Sequence, residues 1–347
     1  MNIFLDQSNC LQDLWPFTLT RHTADFRVGI FTIREKWERI TGLPIITQKE
    51  QRTADSIAVP ANVLPCKNNA ETIIRAVQAG TTIHSLPHVK LLQYPWQIFQ
   101  YNDWALRQDV FLLPQSKNDV KNYHSHNTIS GDVFIEAGAI VQHAILNGTT
   151  GPIYIGKNAT VMEGSTLRGP VALCEGAVLK MGSKIYGATT LGPYCVGGGE
   201  IKNSVLFAHS NKAHDGYLGD SVIGEWCNLG AGTSNSNVKN TGGQVKYSMP
   251  NTVDGIIAGN KAGLIMGDYS RTAINTSFNT GSMVGVCCNI FGQQPGRFIK
   301  NFSWGNEAYI FEKALADIEN WKKMKGKSLT AEETTILKNI YLNDTNQ

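Results

Sequence analysis

The chain has 347 residues, 42% hydrophobic content and a formal net charge of +3, enough apolar material for two packed domains and too little positive charge for a nucleic-acid surface. The start, MNIFLDQSNC, lacks the basic-then-apolar pattern of a secretory leader and no apolar run approaches a membrane span, which predicts a cytoplasmic protein with no membrane partner. Seven cysteines, an odd number without any CxxC pair, argue against a disulfide frame or a zinc clip and are expected to be buried small apolar residues.

Asn2 to Leu5 reads as a short strand, Thr32 to Gly42 as a helix, Leu43 to Thr47 as a second strand, and Asn69 to Gly80 as a glycine-closed helix with Ile73, Ile74 and Val77 on one side. These make a small α/β unit over residues 1–115. Its aromatic end, Tyr94 to Asp109, predicts a connecting helix, and polar residues at 116–130 mark a linker.

From 131 to 305 the period changes to six. Ile155, Val161, Leu167, Leu173, Leu179, Ile185 and Leu191 form an unbroken aliphatic column, and Ala159, Ser165, Val171, Ala177, Ser183, Thr189 and Cys195 form a second, narrow one. An even period keeps the aliphatics on one face of extended strands, while a narrow residue fits the corner where the chain turns. The pattern resembles the left-handed parallel β-helix, in which three hexads make one triangular coil, and it predicts a mainly β fold with the aliphatic column inside. After Leu191 the register slips by two and resumes with Val205, Tyr217, Ile223 and Leu229; Met266, Thr272, Phe278, Val284 and Ile290 recover it later. The interruptions at Gly197 to Gly216 and Asn235 to Gly263 are expected to be loops leaving the prism. Residues 306–347 close the chain with helices, one over Glu307 to Met324 and one after a capping-box pair, Thr330 and Glu333, forming a lid over the last coil.

Between the interruptions lies HSNKAHDGYLGDSVIGEWCNLGAG, His209 to Gly232. Here the chain resembles the GlmU-type bifunctional enzymes, N-acetylglucosamine-1-phosphate uridylyltransferase/glucosamine-1-phosphate N-acetyltransferase, whose acyltransferase half carries KAGHLTYLGD followed by IGxxxNIGAGT. His214, Tyr217, Leu218, Gly219 and Asp220 match the first motif; Ile223, Gly224, Asn228, Gly230, Ala231, Gly232 and Thr233 match the second. Glu200, Ile201 and Lys202 match the family's EMK element. The resemblance implies a CoA-dependent N-acyltransferase, with acetyl-CoA as donor and an amino sugar phosphate or nucleotide sugar as acceptor. It further implies His214 as general base oriented by Glu200, with Lys184, Lys202, Tyr217, Asn228 and Asn237 holding the sugar phosphate, Ala231 and Gly232 near the acyl-CoA, no metal at this site, and a homotrimer with the donor between prisms. The chemistry is coherent: a histidine, whose ordinary pKa is near ~6.5, removes the amine's proton, lysines meet the phosphate, and backbone amides around Gly230 to Gly232 face the oxyanion. The sequence departs from the family at Val238 in place of a tyrosine, at Lys184 in place of an arginine expected one coil below Lys202, and at Ala273 and Ile274 where a CoA-contacting serine falls.

The first domain resembles sugar nucleotidyltransferases at Leu14 to Arg21, similar to that family's LxPLTxxxPK, but the glycine-rich phosphate loop is replaced by Asp6, Gln7, Ser8, Asn9 and Cys10. If nucleotide binding persists there, Asp6, Thr20 and Arg21 are the candidate contacts and Mg²⁺ the accompanying ion. Three alternatives to acyl transfer stand beside it: sugar-1-phosphate nucleotidyl transfer, a regulatory protein binding sugar nucleotides without turnover, and a zinc hydratase built on the His209 and His214 pair, which lacks a third ligand near Leu173.

Overall fold

A computed structural model describes residues 1–83, 86–114, 120–250, 252–292 and 296–345. Residue 115 at the end of the expected first domain, 116–119 of the expected linker and 293–295 of the exit from the repeats lie outside the described residues. Strands β1 (Asn2–Asp6), β2 (Ile45–Ile46) and β3 (Ser56–Pro60) form a parallel sheet in the order β2-β1-β3. Helix α1 (Ile33–Thr41) begins where Thr32 and Glu35 close a reciprocal capping box and ends at Gly42 in the left-handed region. It buries Ile33 and Trp37 against the sheet, and α2 (Ala70–Gln78) buries Ile73. The expected connecting helix is two, α3 (Gln97–Gln100) and α4 (Asn102–Asp109), meeting at Tyr101. Asn102 accepts the Gly29 amide at 2.7 Å and donates to Thr190 Oγ1 at 3.1 Å, so α4 ties the first domain to the repeats. All seven cysteines are buried.

The repeats fold into a three-sided parallel β-helix that begins with the strand Thr128–Ile135. In its regular part each strand pairs with the residue eighteen further on: Thr166 with Lys184 on the first face, Val171 with Thr189 on the second, Val178 with Val196 on the third. The seven aliphatics from Ile155 to Leu191 are buried in one interior cluster, and the narrow column is buried with them, as the six-residue period predicts.

The first interruption is not a loop. Residues 197–216 stay in the ladder, but their coils are shortened: Lys184 pairs with Glu200, Thr190 with Val205 and Val196 with Asn211, offsets of sixteen, fifteen and fifteen. Because the slip is shared among corners, the interior residues are Leu206 and Leu218; Val205 and Tyr217, expected inside, point outward. The second interruption does leave the prism. It forms an antiparallel hairpin, Val245–Tyr247 with Ile256–Gly259, whose Tyr247 stacks on Trp96 at 4.9 Å and joins the first domain's core.

The second face and the corner beyond it are covered. Phe207, Val222, Ile265 and Met283 of the second face lie in the core of the first domain. Helices α5 (Phe311–Lys323) and α6 (Ala331–Thr345) run beside the corner between the second and third faces, packing Ala314, Ile318, Leu337 and Ile340 on Trp226, Tyr269 and Phe302. They therefore flank several coils rather than lidding the last one. The helix starts later than Glu307 because Glu307–Ala308 pairs back on Ser303–Trp304. Among the described residues no helix is long and apolar enough to cross a membrane.

Candidate active site

The uncovered first face collects most of the expected site. Its strands Thr166–Arg168, Lys184–Tyr186, Glu200–Lys202 and Tyr217–Gly219 each hold an aliphatic residue inward and two residues outward. Two outward columns result: Thr166, Lys184, Glu200, Tyr217, and Arg168, Tyr186, Lys202, Gly219. Lys184, Glu200, Lys202 and Tyr217 therefore share one surface. The shortened coil, however, puts Tyr186 rather than Lys184 directly below Lys202, and Arg168 below Tyr186. Sequence spacing alone missed Arg168 and Tyr186, although both follow an interior aliphatic as Lys202 does.

His214 is exposed at the corner where the third face turns into the first. Its backbone rests on Gly198 and Gly199: a Cβ on Gly198 would meet Ala213 O at 2.2 Å, and one on Gly199 would meet His214 O at 2.8 Å. From inside, Lys212 fixes the same turn. It stands in the interior column between Gly197 and Leu229, 1% exposed, and its ammonium donates to the carbonyls of Gly198 (3.4 Å), His214 and Asp215 (3.2 Å). With no carboxylate partner in that set, burial pushes its pKa down to about 8.

Glu200 accepts a hydrogen bond from Tyr186 Oη at 2.6 Å, and none joins it to His214 among the described residues. It thus orients Tyr186, not the expected base. Lys202 Nζ lies 5.5 Å from the centre of the Tyr186 ring. Tyr217 Oη accepts from Asn237 Nδ2 at 3.1 Å, which brings Asn237 to the site; Asn237 also donates to Asp220, itself bonded by Asn203 at 2.6 Å. Burial, with Asp220, Tyr186 and Glu200 adding to it, pushes the Tyr217 phenol up to about 12, so it stays protonated and able to donate.

Three expected groupings are not made within one protomer. Asn228 lies on the third face, where its Oδ1 accepts from Asn211 at 3.3 Å, away from Lys202 and Tyr217. Ala231 and Gly232 do stand one rung above His214, but the Gly232 amide donates to Asp215 O at 3.0 Å and the Gly230 amide to Thr272 Oγ1 at 2.9 Å, so neither faces an oxyanion. His209 turns at a different corner from His214, sandwiched between Tyr194 (5.2 Å) and Trp226 (4.2 Å), which separates the pair proposed for zinc.

In the first domain Asp6, Thr20 and Arg21 do not converge. Arg21 is spent on the β-helix, paired with Glu225 at 2.7 Å and with Asp268, and Thr20 donates to the same Asp268 at 2.7 Å. Asp6 accepts the Ser8 amide at 2.9 Å. A cavity of about 470 Å³ at the ends of β1 and β3 is lined by residues including Asn9, Asp13, Asn62, Thr81 and Gln93, with no lysine or arginine to meet phosphates.

Comparison with known proteins matches both parts. Residues 2–84 match the family described as sugar nucleotidyl transferase. The bifunctional protein GlmU of Methanocaldococcus jannaschii is 32% identical over 196 residues, 56% of this chain and 41% of that protein. The bifunctional sugar-1-phosphate nucleotidylyltransferase/acetyltransferase of Sulfurisphaera tokodaii is 31% identical over 221 residues, 61% of this chain and 48% of that protein. The chain thus spans less than half the length of these relatives. A hexapeptide transferase family protein from Anaplasma phagocytophilum, 17% identical, covers 58% of this chain and 95% of its own at a TM-score of 0.30, too slight a likeness to argue from. The chain is thus similar to part of the GlmU-like bifunctional nucleotidyltransferase/acetyltransferases, and its residues 2–84, ahead of the repeats, match the sugar nucleotidyl transferase family.

Proposed function

We propose that the protein is a CoA-dependent N-acyltransferase acting on a phosphorylated or nucleotide-linked amino sugar, with acetyl-CoA as donor, at the corner carrying His214. The observation that carries this is the placement of an exposed histidine on a glycine-cradled turn beside the uncovered face, which presents Lys184, Lys202 and Tyr217 outward together. The amine nitrogen of the acceptor attacks the thioester carbonyl, and His214 takes the proton lost as the new C–N bond forms. The C–S bond then breaks, and the proton returns from His214 to the departing thiolate, giving amide and free CoA. Lys184 and Lys202 attract the phosphate, and the protonated Tyr217 donates to it or to a sugar hydroxyl. A homotrimer, with the donor held between prisms at this corner, is part of the proposal. Nucleotidyl transfer is disfavoured because Arg21 is committed to Glu225 and Asp268 and the first-domain cavity offers no lysine or arginine among the described residues.

The test follows release of free CoA from acetyl-CoA with a panel of amino sugar phosphates and nucleotide-linked amino sugars. Turnover lowered roughly 10²- to 10⁴-fold by His214→Ala is expected. Turnover unchanged by the substitution, or none with any amine from correctly folded protein, overturns it.

A further inference from the structure

Below the His214 corner the first face carries a groove of about 390 Å³ lined by Ile145, Thr166, Arg168, Lys184 and Tyr186 among others, with no carboxylate in its lining. We propose that this groove holds the nucleoside diphosphate portion of a nucleotide-linked amino sugar, with Arg168 binding the phosphate farther from the amine. The proposal rests on the acyl-transfer assignment for the position of that amine.

Reach is the first argument. His214 sits on the turn entering the rung of Tyr217, three rungs above Arg168. At the strand spacing that is about 14 Å along the prism, and Lys202 and Arg168 stand about 10 Å apart in one column. A hexosamine phosphate carries amine and phosphate on a single six-membered ring, so it spans from His214 to Lys202 or Lys184 and leaves Arg168 untouched. A diphosphate with its nucleoside continues down the column.

Charge is the second argument. Arg168 and Lys184 are both exposed, and among the described residues neither has an ion-pair partner. By contrast Arg21, Arg27, Arg34, Arg75 and Arg107 each pair with a carboxylate. Two unpaired cations on one concave wall concentrate anions, and a guanidinium grips a phosphate with two parallel hydrogen bonds.

An aromatic wall completes the groove. The Tyr186 ring lies between Lys202 and Arg168 in the column, held by its bond to Glu200, while Ile145 leaves 48% of its surface exposed at the far side. A fixed aromatic face beside an apolar side chain suits a nucleobase, which stacks without needing sequence-specific polar contacts.

Titration calorimetry of the full-length protein with UDP, and with ADP in parallel, tests this. Saturable UDP binding is expected, weakened at least tenfold in Arg168→Ala and less in Arg168→Lys, which keeps charge but loses the fork; Asn62→Ala in the first-domain cavity leaves it unchanged. Because Arg168 is exposed, the thermal midpoint of its variants should match wild type. Absence of UDP binding, or equal binding by wild type and Arg168→Ala, overturns the groove, even where acyl transfer to a hexosamine phosphate proceeds. Arg168-dependent UDP binding without acyl transfer to any amine upholds the groove and overturns the catalytic assignment instead.

Discussion

Two neighbouring lengths of the same β-helix behave differently. From Ile155 to Leu191 the coils repeat at eighteen residues, the column of every sixth residue is aliphatic without a break, and Lys184 is the one residue of the proposed acyl-transfer site that appears. From Leu191 to Leu229 the coils are shortened, the interior column passes through Gly197 and Lys212, and Glu200, Lys202, His214 and Tyr217 all appear within them. Gly197 has no room for a side chain, because a Cβ there would meet Leu191 Cδ1 at 2.5 Å. The regular coils maximise burial; the shortened ones give up interior packing to hold a corner in one shape. Stability and chemistry are thus separated along the axis by only a few rungs.

That separation can be broken by two substitutions of unequal weight. Leu173→Ala, in the regular part where the side chain is fully buried, should cost about 2–5 kcal/mol in urea unfolding while leaving the turnover number of the folded protein unchanged. A matching loss of turnover would show that the two lengths are one mechanical unit. Gly198→Ala acts in the opposite sense. Its Cβ would meet Ala213 O at 2.2 Å, so the turn carrying His214 must shift, at a stability cost of about 1–3 kcal/mol. A shift of that kind misplaces the base, and turnover should fall by roughly a hundredfold. Unaltered turnover in this variant would remove the corner from the mechanism.

The regular part was legible in sequence because its rule is local: every sixth residue is aliphatic, and each obeys the same steric demand. The site was legible as a cluster, since His214, Tyr217, Lys202 and Glu200 lie in one motif-bearing segment, but its internal geometry was not. Shortening removes residues at corners, and a corner can absorb them before or after any given strand, so the register of Tyr217 against Leu218 depends on pairing that no local pattern reveals. The same ambiguity placed Lys184 under Lys202 when Tyr186 occupies that position. Linear proximity to the histidine likewise says nothing about which of three faces Asn228 takes, and within one protomer it stands on the third. The role of Arg21 was hidden because its partners, Glu225 and Asp268, lie some two hundred residues away.

Lys212 sharpens the comparison most finely, through a slope rather than a loss. Its pKa in the folded chain, about 8, is below the ordinary lysine value near ~10.4. Under pH 8 both folded and unfolded chains carry the proton, and folding bears the whole cost of burying the charge. Between about pH 8 and 10 the unfolded chain binds more protons than the folded one, so this residue makes stability rise with pH, by at most about 1.4 kcal/mol per pH unit. Lys212→Met keeps the interior filled and removes the titration, so the stability difference between wild type and variant should move in favour of wild type across that window, read by urea unfolding at each pH. A difference that stays flat from pH 7 to 10 would mean the ammonium is solvated and does not stand inside the prism. The Met side chain also leaves the carbonyls of Gly198, His214 and Asp215 without their donor, so turnover should drop several-fold even at pH 7, where the fold itself is intact. An interior lysine in a largely apolar column is then explained by what it holds, the histidine turn, rather than by what it contributes to stability.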